Sequence, residues 1–159
     1  MRSAGTERLR RLALVAGGLV LISLVGYAVC LAQRPPDGPE PVAWDREACA
    51  HCRMHVGDPR FAAQLQTASG ETRNYDDPGC LLADLAERRR EGVRAIWLRD
   101  ANADRWLPAA EAVFVPASPT PMGYGLAAVT KGSPGAAGGL DLDAAMQRIA
   151  TPPVVEDRR

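Results

Sequence analysis

The chain has 159 residues, 19 basic and 19 acidic side chains, 47% hydrophobic and 5% aromatic residues, and four cysteines. That size admits one ordinary domain with appendages and excludes a large multi-domain enzyme. A net charge of zero gives no ground for a nucleic-acid partner, and none is expected.

The zero is an average over unlike parts. Residues 1–11 carry Arg2, Arg8, Arg10 and Arg11 against Glu7, a local +3, which leaves −3 for residues 34–159. Between them lie 22 uncharged residues, Leu12 to Gln33, rich in Leu, Val, Ala and Gly. At ~1.5 Å per residue such a run spans a hydrocarbon core of ~30 Å. With no polar face in the run, a buried helix of a soluble core is the poorer reading. The arginines at its start keep residues 1–11 cytoplasmic, so a single-pass inner-membrane anchor with its working domain in the periplasm is expected. Cys30 invites a lipoprotein reading, but Val29 is branched where a small residue belongs, and a retained anchor is favoured.

Residues 34–43 are proline-rich and read as an extended linker, with the folded domain over 44–150 and a flexible tail over 151–159. Phe61 to Thr67 alternates as a strand, Ser69-Gly70-Glu71 turns the chain, and Thr72 to Tyr75 completes a hairpin. Asp76-Asp77-Pro78 caps a helix running from Gly79 to about Glu91, with Leu81, Leu82 and Leu85 on one face, and Val93 to Leu98 is the next strand. The second half repeats the order more weakly: short strands at Arg105 to Pro108 and Ala112 to Val115, another at Leu126 to Thr130, and a helix from Asp141 to Ala150. The expected fold class is α+β, a transmembrane helix followed by a small domain of two β-β-α-β-like halves.

The chemistry concentrates in Cys49-Ala50-His51-Cys52-Arg53-Met54-His55. A C-x-x-C pair brings two sulfurs to one ion from a tight loop, and Met54 projects to the side of Cys52 if the chain there is extended. Thiolate with thioether suits Cu(I), whereas zinc sites leave methionine out. Haem attachment requires His where Arg53 stands. A thioredoxin-like thiol-disulfide oxidoreductase using Cys49 and Cys52, with Pro121 beside them, is the main rival. Such pairs follow an apolar strand and open a helix, and this one follows a proline-rich segment. A structural zinc knuckle or a Cys49–Cys52 disulfide is a further alternative.

The order Cys49-x-x-Cys52-x-Met54, Phe61-Ala62-Ala63-Gln64, Tyr75-Asp76-Asp77-Pro78-Gly79-Cys80, Trp106, Ala109 to Val115 and Thr120-Pro121-Met122-Gly123-Tyr124-Gly125 resembles the NosL family. Its members are copper-binding accessory proteins of nitrous-oxide reductase maturation, and the similarity spans about residues 45–130. The resemblance implies two related β-β-α-β halves, one Cu(I), membrane-bound maturation partners, delivery to the reductase, and no enzyme activity. It aligns Cys52 and Met54 with the family's central cysteine and methionine, Cys49 with the preceding cysteine, and Met122 with the methionine of a T-P-M-G loop. Two departures stand out: the poor lipidation signal, and the bulky Arg53 before Met54.

The expected metal ligands are Cys49, Cys52, Met54, Met122 and His55. For His51 and His55 ligation, support of a ligand, and simple exposure all stay open. Cys80 leans structural, as the start of an apolar helix face. Asp76 and Asp77 read as helix caps, and Trp44, Trp97 and Trp106 as packing.

Overall fold

The computed structural model describes residues 4–32, 38–87 and 92–150. The chain divides into two compact units, Met1–Pro36 and Asp37–Arg159. The first holds helix α1, Ala4–Ala32, which begins inside the arginine-bearing stub. Within it Glu7–Leu31, 25 residues with apolar side chains exposed on all sides, is long and apolar enough to cross a membrane or to act as a signal sequence.

The second unit is α+β, as expected. In chain order it runs β1 (Ala63–Thr67), β2 (Thr72–Tyr75), α2 (Pro78–Glu87), β3 (Val93–Arg99), β4 (Trp106–Pro108), a 3-10 turn (Ala109–Glu111), β5 (Ala112–Pro116), β6 (Leu126–Thr130) and α3 (Leu142–Ala150). The antiparallel order β2-β1-β3-β4 makes one sheet and the β5-β6 hairpin a second. The strand Arg105 to Pro108, read as opening the second half, therefore joins the first sheet through β3. The second half keeps β5, β6 and α3, with no strand after α3 among the described residues. The expected end of α2 at 88–91 and the tail at 151–159 lie outside the described residues.

Register explains the core. Tyr75, Ala63, Leu98 and Leu107 lie opposite one another across the four strands, and all are buried. They form one cluster with Leu81, Leu82 and Leu85 of α2 and with Ala145 and Met146 of α3. Burying each leucine contributes roughly 1.5–3 kcal/mol. Trp44 and Trp106 pack half-buried against the same cluster, as expected. The Tyr75 hydroxyl donates to Asp84 on α2 at 2.7 Å, which anchors the helix to the sheet.

The opposite row is Asn74, Gln64, Trp97 and Pro108. Gln64 would read as a solvent-facing strand residue, yet it is 0% exposed. Its amide accepts from Glu40 N (2.7 Å) and donates to Glu40 O (3.1 Å), while Gln66 donates to Gly38 O (2.7 Å). Residues 38–40 are thus laid along the second face of the sheet, satisfying two buried amides. Residues 38–40, at the end of the proline-rich segment, are thereby bonded to β1.

The two sheets are joined at Asp100, which is buried. Its carboxylate accepts from Thr130 Oγ1 (2.8 Å), Arg105 Nε (3.0 Å) and Asn102 N (3.1 Å), and Ala101 N donates to Ala128 O (2.8 Å). Burial alone would raise the Asp100 carboxyl, but these donors hold it below the ordinary 3.8. Its stabilising contribution is therefore present above the unfolded value and lost as pH falls through the lower folded one. Asp100→Asn is expected to cost about 1–3 kcal/mol at neutral pH and to flatten the acid limb of stability, measured by denaturant unfolding across pH.

Candidate metal centre

The Cys49 loop closes on itself. Cys49 N donates to Met54 O (2.7 Å), Arg53 N to Cys49 O (3.1 Å), Val56 N to Glu47 O (2.9 Å), and Ala48 and His55 form an isolated bridge. Arg53 has φ 67°, so the chain reverses between Cys52 and Met54. The condition on which Met54 would project alongside Cys52, an extended chain, is not met. The knuckle is pinned to β2 by Ala50 N donating to Asn74 O (2.8 Å) and by Asn74 Nδ2 donating to Glu47. Gly57 N, just past the knuckle, donates to Asp76 Oδ1 at 3.0 Å.

Asp77 caps α2 as expected. Its Oδ1 accepts from Gly79 N (2.7 Å) and its main-chain oxygen from Cys80 N (2.9 Å), with Pro78 as the first helical residue. Cys80 is thereby placed in the first turn of α2. The Sγ atoms of Cys49, Cys52 and Cys80 lie within 4.8 Å of one another, and all three thiols are free. Cys49 and Cys80 are fully buried and Cys52 is half-buried. Sequence reading assigned Cys80 to the apolar helix face, but the structure adds it to the pair. The available signal was its position, third past the cap, where a helix N-terminus favours thiolate.

The three sulfurs are electrostatically unequal. Cys49 is pulled from 9.0 down to about 4, first by the hydrogen bond that the Cys80 thiol donates to it, then by the main-chain N–H groups of Asp76, Cys52 and His51. Cys80 is raised, foremost because it donates to Cys49, and Cys52 is raised chiefly by burial. Cys49 alone of the three is drawn toward the thiolate, and the other two are held toward the thiol. Such a cluster is able to hold a metal ion, and binding one would release protons.

The remaining expected ligands are all exposed. Met54 is 59% exposed and Met122 is 38% exposed, and His55 is exposed. Met122 lies in a loop with its own bonds: Gly123 N to Thr120 O (3.2 Å), Gly125 N to Thr120 Oγ1 (3.2 Å) and Ala117 N to Gly125 O (3.1 Å). That loop meets the start of α2, where Tyr124 packs on Gly79 so closely that a Cβ there would lie 2.0 Å from Tyr124 Cγ. His51 belongs to a different group, its ring nitrogen within 4.8 Å of carboxylate oxygens of Asp84 and Glu87. Asp84 there already accepts from the Tyr75 hydroxyl and lies 4.0 Å from Arg73.

No protein-family model, curated protein or solved structure matches this chain. The geometry by itself defines a buried three-cysteine cluster able to hold a metal ion, in a chain that also carries a candidate membrane helix.

Proposed function

We propose that the protein is a membrane-anchored Cu(I) carrier that delivers the ion to a copper enzyme and catalyses no reaction itself. The observation that carries this reading is the convergence of the Cys49, Cys52 and Cys80 sulfurs within 4.8 Å of one another. Among the described residues no histidine or carboxylate joins that group, so the set offers three sulfurs. Three soft ligands satisfy Cu(I), while a structural zinc site calls for four.

The ion rests on the three cysteine sulfurs. Met54, His55 and Met122, which are exposed, meet it as it arrives or leaves, so that it passes to an acceptor by stepwise ligand exchange. Thioethers bind weakly enough to be replaced, and a tether raises the effective concentration beside other tethered partners. In this reading α1 is a single inner-membrane span, residues 1–11 are cytoplasmic, and the cysteine-bearing unit is periplasmic. The order of motifs shared with the NosL family supports nitrous-oxide reductase as the acceptor, reached through membrane-bound maturation partners.

Competitive titration of the reduced full-length protein in detergent, with Cu(I) and a chelator, tests the reading. Cys52→Ala is expected to weaken binding by at least about tenfold, and Met54→Ala to slow transfer to the chelator. Unchanged binding and transfer in both variants would sink it. A second reading, a thiol-disulfide oxidoreductase, draws on the lowered Cys49. The C-x-x-C lies in turns rather than opening a helix, which weighs against it. Metal-free turnover in an insulin-reduction assay would favour that reading.

A further inference from the structure

We propose that Asp77 is a positioning residue for the metal site: its carboxylate fixes Met122 against the helix start that carries Cys80, so that handover of the ion depends on it. The proposal rests on the Cu(I) reading above. A helix cap needs one side-chain oxygen, and Oδ1 meets that need at Gly79 N. The second oxygen, Oδ2, accepts from Met122 N at 3.0 Å, across 45 residues of sequence. Asp77 is 0% exposed, so this is a fully buried carboxylate with both oxygens committed, one to the helix start that carries Cys80 and one to the loop that carries Met122.

The loop around Met122 holds its shape through its own hydrogen bonds at Thr120, Gly123 and Gly125. It therefore docks as a unit, through two attachments to the α2 start: the Asp77 bond and the Tyr124 ring on Gly79. The Asp77 bond acts on Met122 itself, one bond from the Cα that bears the side chain. It sets where the thioether begins, and Cys80 N is held to the same aspartate's main-chain oxygen. Asparagine or serine would cap the helix equally well. Neither reproduces the clasp: whichever way an asparagine amide turns, one of the two N–H groups faces its NH2, and serine has one oxygen.

The test uses full-length protein in detergent as wild type, Asp77→Asn, Asp77→Ser, Met122→Ala and the Asp77→Asn/Met122→Ala double variant. The rate of Cu(I) transfer to a chelator, amide exchange at Met122 in the metal-free protein, and thermal unfolding are read together. Asp77→Asn and Asp77→Ser are expected to slow transfer about tenfold, as Met122→Ala does, with no further loss in the double variant. Met122 amide protection should fall by a similar factor, and the retained helix cap should keep the protein folded with a modestly lowered unfolding midpoint. Wild-type transfer in Asp77→Asn, or losses that multiply in the double variant, would overturn the proposal. If the wild type binds no Cu(I), the copper reading fails separately, and unchanged amide protection in Asp77→Asn would then overturn the clasp as well.

Discussion

Replacing Cys80 by serine is expected to lower Cu(I) affinity by roughly a hundredfold while leaving the fold in place. Serine is close to cysteine in shape, so the fully buried position at the start of α2 stays filled. Its hydroxyl is a hard donor and a poor substitute for sulfur on a soft ion. The change also removes the thiol whose hydrogen bond is the largest influence lowering Cys49. Two of the three converging donors are thereby weakened by one substitution. Competition against a chelator of known affinity, with circular dichroism to verify folding, checks it. Affinity within about twofold of wild type would assign Cys80 to packing alone.

The second large effect is on structure. Gly79→Ala is expected to destabilise the folded unit by roughly 2–3 kcal/mol, although alanine favours a helix interior over glycine by about 1 kcal/mol. The new Cβ would stand 2.0 Å from Tyr124 Cγ and 2.4 Å from its Cβ and Cδ2. These atoms lie near the root of the ring, so the whole loop, and not a flexible tip, must retreat. Retreat strains the bond between Met122 N and Asp77, and the helix start that positions Cys80 moves with it. In a Tyr124→Ala background the cost of Gly79→Ala should largely vanish, a coupling that denaturant unfolding of the four proteins measures. An equal cost in both backgrounds would place the clash elsewhere.

Much of this architecture is local and was legible in the sequence. The uncharged run from Leu12 to Gln33, the hairpin around Ser69-Gly70, and the Asp-Pro start of α2 each declare themselves within a few residues. Asp141 is a further example, accepting from Ala144 N at 2.8 Å as its position before α3 implies. The features that were missed depend on distant parts of the chain. Gln64 and Gln66 look like the wet face of a strand, and nothing in their neighbourhood says that Gly38 and Glu40 will cover them. Cys80 looks like packing because its partners lie some thirty residues away, brought up by the fold of β1, β2 and α2.

The Met54 geometry failed for a different reason. A positive φ is a glycine or asparagine signal, and here Arg53 adopts it under the constraint of the bonds that close the knuckle. The candidate site is consequently built from two kinds of information. The C-x-x-C pair is written in sequence, whereas the third sulfur and the attachment of the Met122 loop through Asp77 emerge only when α2 packs on the sheet.

The central claim, that three cysteines form one site for one Cu(I), is tested most directly by the stoichiometry of Cu(I) taken up by the reduced full-length protein under chelator competition. The wild type should bind one Cu(I) per chain, and a Cys49→Ser/Cys52→Ser/Cys80→Ser variant should bind none. Equal uptake by the triple variant, or no uptake by the wild type, would contradict it.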